Sequence, residues 1–175
     1  IAIFSLTKVV DEGFYETGIP IYYPGKSVKA YSCYGIWKKT NFLKAFPALK
    51  KIIKQVAPDI VHAHYASSYG ILGAFSGFHP FILSVWGSDI YKFPHRSVLS
   101  EWLLKFNLRK ADRILSTSVA MAEETQKYIH KNIDITPFGI DLDTFRPYPV
   151  KGIFPPGSIV LGTVKALEPI YGIEY

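Results

Sequence analysis

One cysteine in 175 residues, Cys33, rules out an internal disulfide and fits a reducing compartment. No apolar run reaches the roughly 18 residues that a membrane-crossing helix needs. Nothing is low in complexity and no internal repeat is visible, since the 12 prolines and 13 glycines are spread along the chain. No helix-turn-helix, zinc-finger or interleaved basic–aromatic motif occurs, so nucleic acid is not expected as a partner. The opening IAIFSL lacks a methionine and a basic, signal-like start and reads as beginning inside a domain. Acidic residues are scarce at one end: residues 1–55 hold nine lysines against Asp11, Glu12 and Glu16. The other 120 residues carry eleven charges of each sign, so the whole excess of +6 sits in the first third. Such an asymmetry suggests an anionic partner for one surface.

What is present is apolar and aromatic, at 49% and 15% of residues, enough for one core and the start of a second. Short apolar runs recur at IAIFSL (1–6), DIVHAH (59–64), FILSVW (81–86), DRILST (112–117), IDIT (133–136) and SIVLGTV (158–164). From 59 to 117 each is followed by a small or turn-forming residue and a helical stretch. This alternation predicts an α/β fold with a Rossmann-like parallel sheet flanked by helices and buried on both sides.

NFLKAFPALKKIIKQV (41–56) has helical periodicity, with Phe42, Phe46, Leu49, Ile52, Ile53 and Val56 on one side. Lys44, Lys50, Lys51 and Lys54 lie on the other, as a solvated face or a surface for anionic lipid headgroups. Pro47 is expected to kink the helix or start a new one. The stretch 97–113 mixes Trp102, Leu103 and Phe106 with Lys105, Arg109 and Lys110, and reads as a core-packed helix. Ser118, followed by Glu123 and Glu124, marks a helix start.

Ligands of open parallel sheets bind beyond the carboxyl ends of the strands. Two such ends carry polar residues: HAHY with His62 and His64, and WGSDI with Gly87, Ser88 and Asp89. Alternation along a strand puts His62 and His64 on one face. His62, lying deeper, reads as a hydrogen-bonded structural residue, and His64 as a polar or acid/base group in a cleft. A metal reading would need Asp89, His79 or His95 to complete the shell. ITPFGIDLDTFRP (135–147) leads into the proline- and glycine-rich YPVKGIFPPG. A first domain is therefore expected over 1–147, a linker over 148–157, and the first strand and loop of an incomplete second domain over 158–175.

The order PDIVHAHY, WGSD, ADRILSTS, ITPFGIDLDTFRP, VLGTVKALEPIYGIEY resembles the family 4 retaining glycosyltransferases, across roughly residues 58–175. The resemblance implies the N-terminal half of a GT-B fold: two Rossmann-like domains facing a cleft, the first taking the acceptor and the second most of the nucleotide-sugar donor. His64 would then lie near the transferred sugar as the catalytic-site histidine, and Ser88 and Asp89 at the acceptor rim. Gly139 and Asp141 would form the hinge, and Lys165 would meet the donor phosphates. Departures from the family pattern are Trp86 where many members have histidine, Phe138 for asparagine before the hinge glycine, and Ala166 and Tyr171 for the basic phosphate pair.

The expected activity is hexosyl-type transfer from a nucleotide-diphosphate sugar to a saccharide or lipid-linked acceptor, with retention and without a cofactor or metal. The setting would be cell-surface polysaccharide or glycolipid synthesis, in the cytoplasm and peripheral to the inner membrane face. The family's glycine-rich loop falls before Ile1 and its acidic donor motif after Tyr175, so this stretch alone is expected to be inactive. The competing class is a non-catalytic basic domain that binds nucleic acid or a lipid surface; a zinc hydrolase built on His62 and His64 ranks below it.

Overall fold

The computed structural model describes residues 1–6, 17–24, 36–148, 154–155, 157–162 and 164, with only the backbone for 36–44. The chain divides into two compact units, Ile1–Phe138 and Gly139–Tyr175.

In the first unit, strands β1 (Ile3–Phe4) and β2 (Ile21–Tyr22) form a short parallel pair. Helix α1 (Ile36–Val56) follows and contains Pro47, which does not start a new helix. Then come β3 (Val61–His64), a π-helical turn (Tyr65–Tyr69), α2 (Gly70–Ser76), β4 (Phe81–Ser84), α3 (Ser88–Tyr91) and a 3₁₀ turn (Pro94–Arg96). The unit continues with α4 (Val98–Lys110), β5 (Arg113–Ser116), α5 (Val119–Gln126) and β6 (Ile133–Ile135). Strands β3 to β6 form one parallel sheet in chain order. This is the Rossmann-like arrangement expected from the alternation of short apolar runs with helices.

Local chemistry explains the helix starts. Ser97 Oγ accepts from the Ser100 amide and Ser118 Oγ from the Met121 amide, each satisfying an otherwise orphaned N–H of the first turn.

One face of the four-stranded sheet is a true core. Ala63, Phe81, Leu83, Ile114 and Ile133 pack against Leu104 and Leu108 of α4 and Met121 and Ala122 of α5. The fit is close at Gly73 of α2, where an added Cβ would sit 2.3 Å from Phe81 Cε2. Leu6, Ala45, Leu49 and Leu72 form a second cluster where α1 meets α2.

The other face corrects the expectation of a sheet buried on both sides. By register it carries His62 and His64, Ile82 and Ser84, Arg113 and Leu115, and Asp134. All of these are exposed or half-buried. Arg113 and Asp134 form an ion pair there at 2.8 Å. Apolar Ile82 and Leu115 made the runs look doubly buried, yet their neighbours across the ladder are polar.

A further correction concerns α4. Trp102 is 51% exposed and Leu99 60%, and Val98 also faces out. The helix buries Ser100, Leu104, Asn107 and Leu108, and of the expected apolar residues Leu103 and Phe106 pack against the core, partly buried. Trp102 stacks on Phe106, which touches Phe75 of α2.

In the second unit, Asp141 organises a turn. Its carboxylate accepts from the amides of Asp143 and Thr144 and from Thr144 Oγ1, and these bonds, the hydroxyl's first, hold the carboxyl below its ordinary range. Residues 158–162 and 164, where the first strand of a second domain is expected, have no pairing partner among the described residues, and Ile159 and Leu161 are more than 90% exposed. A strand exists only where a partner satisfies its backbone groups.

Candidate functional site

Strands β3 to β6 end side by side, and a cavity of about 290 Å³ opens at their carboxyl edge on the polar face of the sheet. It is lined by His62 and His64 from β3, Ser84 and Trp86 from the end of β4, Leu115 and Thr117 after β5, and Thr136 and Phe138 after β6, with Val85 beneath. That volume is near the lower end for small-molecule sites. All these residues belong to the first unit.

The two imidazoles lie 4.3 Å apart between ring centroids. His62 Nε2 is 2.8 Å from Ser84 Oγ, and the Trp86 indole N–H donates to His64 Nδ1 at 3.2 Å. Partial burial lowers the pKa of both histidines, and for His62 the neighbouring His64 adds to the effect. Both are therefore neutral near pH 7. The expectation that His62 sits deeper as a core residue is not met: its side chain is exposed and shares the cavity with His64. Strand alternation put the two on one face, and that face is the open one.

Aromatic rings frame the cavity. Trp86 lies parallel to Tyr65 at 6.0 Å, edge-on to His64 at 5.5 Å, and 5.2 Å from Phe138.

Asp89 lies beneath the rim, fully buried, and does not line the cavity. Its Oδ2 accepts from the Ala66 amide at 2.7 Å and its Oδ1 from the amides of Gly87 at 2.8 Å and Trp86 at 3.1 Å. Burial pushes the carboxyl up, while those amides pull it down. The Ala66 carbonyl is gripped in turn by Asn107 Nδ2 of α4 at 2.7 Å. Ala66, two residues past the histidine strand, is thus held by its N–H and by its C=O, through buried side chains of two helices. This tether keeps the backbone where Tyr65 takes a positive φ of 74° and where β4 leaves through Gly87 at φ 125°. Only glycine adopts such angles freely, and strained backbone of this kind gathers at functional sites.

The remaining expected residues are dispersed. Ser88 is exposed at the first position of α3. Gly139 and Asp141 fall in the second unit, and Lys165 lies outside the described residues. His79 is bonded to Asp112, and His95 lies 3.4 Å from the Tyr128 hydroxyl, so neither joins His62 and His64. No group of three or more potential ligands for a metal ion occurs among the described residues. Sequence reasoning missed Asn107, Ser84 and the Trp86 bond. Each acts across a sequence separation of 22 or more and leaves no local pattern.

The glycosyl transferase 4-like family matches residues 22–118, more than half of the chain. The chain belongs to this family. The match contains the histidine strand, the WGSD turn and β5, and ends at Ser118, the cap of α5. A Bacillus subtilis (strain 168) protein provisionally named as the teichuronic acid biosynthesis glycosyltransferase TuaC is 29% identical over 133 residues. That alignment covers 74% of this chain and 34% of the relative, so the chain spans about a third of that protein's length.

Proposed function

We propose that this family member transfers a hexose-type sugar from a nucleotide-diphosphate sugar to a saccharide or lipid-linked acceptor with retention of configuration. The proposed setting is cell-surface polysaccharide or glycolipid synthesis in the cytoplasm, with this chain forming the acceptor side of a GT-B cleft. The observation that carries the reading is a cavity at the carboxyl edge of a parallel sheet, lined by two neutral histidines, in a chain of this family. The relative's name, a teichuronic acid biosynthesis glycosyltransferase, supports this setting.

In this reading His64 contacts the transferred sugar, and exposed Ser88 remains available to the acceptor. Asp89 acts through the backbone it tethers. Gly139 and Asp141 serve as the hinge, and Lys165 meets the donor pyrophosphate. No metal or cofactor enters the reaction. The test incubates the full-length protein with a panel of nucleotide sugars, acceptors and chelator, following nucleoside diphosphate release and the anomeric configuration of the product. Transfer with retention, undiminished by chelator, supports the reading. Inversion removes the retaining assignment, and strict dependence on a divalent ion removes the metal-free one.

A second component is attachment to an anionic membrane. No described helix is long and apolar enough to cross a bilayer. Lys50, Lys51 and Lys54 are exposed on α1, which packs on α2, and α2 packs on α4 with its outward Leu99, Trp102, Arg109 and Lys110. Exposed basic residues on α1, and exposed aromatic and basic residues on α4, suit a headgroup interface, at about 1 kcal/mol per lysine near the surface. Binding to anionic but not to neutral vesicles, weakening as salt rises, is the expected outcome; equal binding to both would remove it.

A further inference from the structure

We propose that Trp86 is a positioning residue that fixes His64 in its neutral form with the proton on Nε2, so that His64 meets the sugar as a hydrogen-bond donor and not as a base. The inference rests on the sugar-transfer reading for its catalytic consequence, and on geometry alone for the protonation.

An indole N–H can only donate. It lies 3.2 Å from His64 Nδ1, so that nitrogen must offer a lone pair. A neutral imidazole with Nδ1 accepting carries its proton on Nε2; a charged one would set two N–H groups against each other. No other described residue is bonded to His64, so Nε2–H is left for a ligand in the cavity that the ring lines. The titratable groups near His64 are His62 on the same strand, at 4.3 Å, and Tyr65 of the turn, whose ring stacks on Trp86; Trp86 and Ser84 from β4 and its exit carry no ionisable group.

Trp86 is itself held. Tyr65 stacks on one side, Phe138 packs against the ring, and the Trp86 amide is bonded to buried Asp89. The indole therefore enters the cavity edge with little freedom, and its N–H is aimed by packing. A phenylalanine here would keep the stacking and lose the donor. His64 could then take its proton on either nitrogen and rotate. A general base needs an unprotonated nitrogen facing its substrate. The nitrogen that could serve is the one Trp86 occupies.

The test uses full-length protein labelled with ¹⁵N in histidine, the His64 signals being assigned with His64→Gln. At pH 7.5 the expected spectrum of the wild type shows an unprotonated Nδ1 and a protonated Nε2. Trp86→Phe should give a mixture of tautomers and lower kcat/KM by about 10-fold, chiefly in kcat, and Trp86→Ala should lose more. A protonated Nδ1 in the wild type overturns the proposal, and so does an unchanged tautomer in Trp86→Phe. Should Trp86→Phe fail to fold, the wild-type spectrum still decides. If the tautomer is as expected but His64→Ala and Trp86→Phe both turn over normally, the positioning role is overturned while sugar transfer itself stands. No turnover by the wild type with any nucleotide sugar fails the sugar-transfer reading, not the protonation state.

Discussion

The two faces of the four-stranded sheet are made by alternate residues of the same strands, and they have opposite chemistries. Ala63, Phe81, Leu83 and Ile114 point into a close-packed layer of helices, while His62, His64, Ser84 and Arg113 point away from it. A side-chain period of two lets four short strands build a core and a polar shelf at once. The shelf has little packing to lose, so its residues are free to serve a ligand. The core face and the tethers joined to it determine whether the shelf keeps its shape. Substitutions on the core side should therefore cost stability, and substitutions on the shelf should cost activity.

The largest effect is expected at the tether between the two. Asp89→Ala removes a buried carboxylate and leaves the amides of Ala66, Trp86 and Gly87 without their acceptor. Breaking such a charged hydrogen-bond cluster costs on the order of 3 kcal/mol. The loss should appear as a lower urea midpoint with unchanged slope. Asp89→Asn keeps the volume but turns an amide toward amide donors, and should recover only part of it. If Asp89→Ala keeps wild-type stability and loses only activity, Asp89 touches a ligand and the tether is not its role.

Next comes Gly73→Ala on the core side. The new methyl would meet the ring of Phe81, which is itself fully buried. Overpacking of this kind costs about 1–3 kcal/mol. Activity per folded molecule should be unchanged, as measured by kinetics on protein whose folded fraction is known. A paired Gly73→Ala, Phe81→Leu variant should recover part of the stability, because it returns the space that the methyl takes.

His64→Ala sharpens the contrast from the other side. It should lower kcat/KM of the full-length protein on the order of 10²-fold, within the range for a positioned polar group, with little change in thermal midpoint. His62→Ala should behave like a shelf residue too, since among the described residues its one hydrogen-bond partner is half-exposed Ser84. A midpoint drop in His62→Ala as large as in Gly73→Ala would return His62 to the core.

Much of this contrast can be read in the chain before any folding, and part of it cannot. Five of the six strands, β2 (Ile21–Tyr22) being the one not read, are legible because each is a short apolar run bounded by turn formers. Ser97 and Ser118 are legible as helix starts because capping is local. That His62 and His64 share a face follows from alternation alone. Which face stays open does not, because Ile82 and Leu115 are apolar and look like core from within their own strand. Trp102 misleads for the same reason. A stripe at helical spacing records which residues share a side of α4, not whether a neighbour covers that side. The Asp89–Ala66–Asn107 tether is invisible because its members come from three separate elements. At 158–164 an apolar run alone cannot make a strand, because the ladder needs a partner and none occurs among the described residues.

The smallest expected effect is on the pH dependence of stability, and it isolates the histidine shelf from the core. In the folded chain, burial first, and for His62 also the adjacent His64, holds both imidazoles below the ordinary histidine value of about 6.5. As pH falls through that value, the unfolded chain takes up protons that the folded chain resists. Its free energy drops relative to the native state, so the histidines' contribution is present above about pH 6.5 and is lost as pH falls through their depressed folded values. Asp89 has the opposite sign, because its carboxyl is pushed up and the folded form takes its proton first. Wild-type melting alone would mix the two. The comparison that separates them is His62→Gln/His64→Gln against wild type at pH 7.5 and 5.5. The wild type should lose more of its midpoint over this interval than the double variant, by a small margin because both rings are partly open to water. Equal losses would mean that neither histidine is shielded when folded, and that the cavity is as wet as bulk solvent.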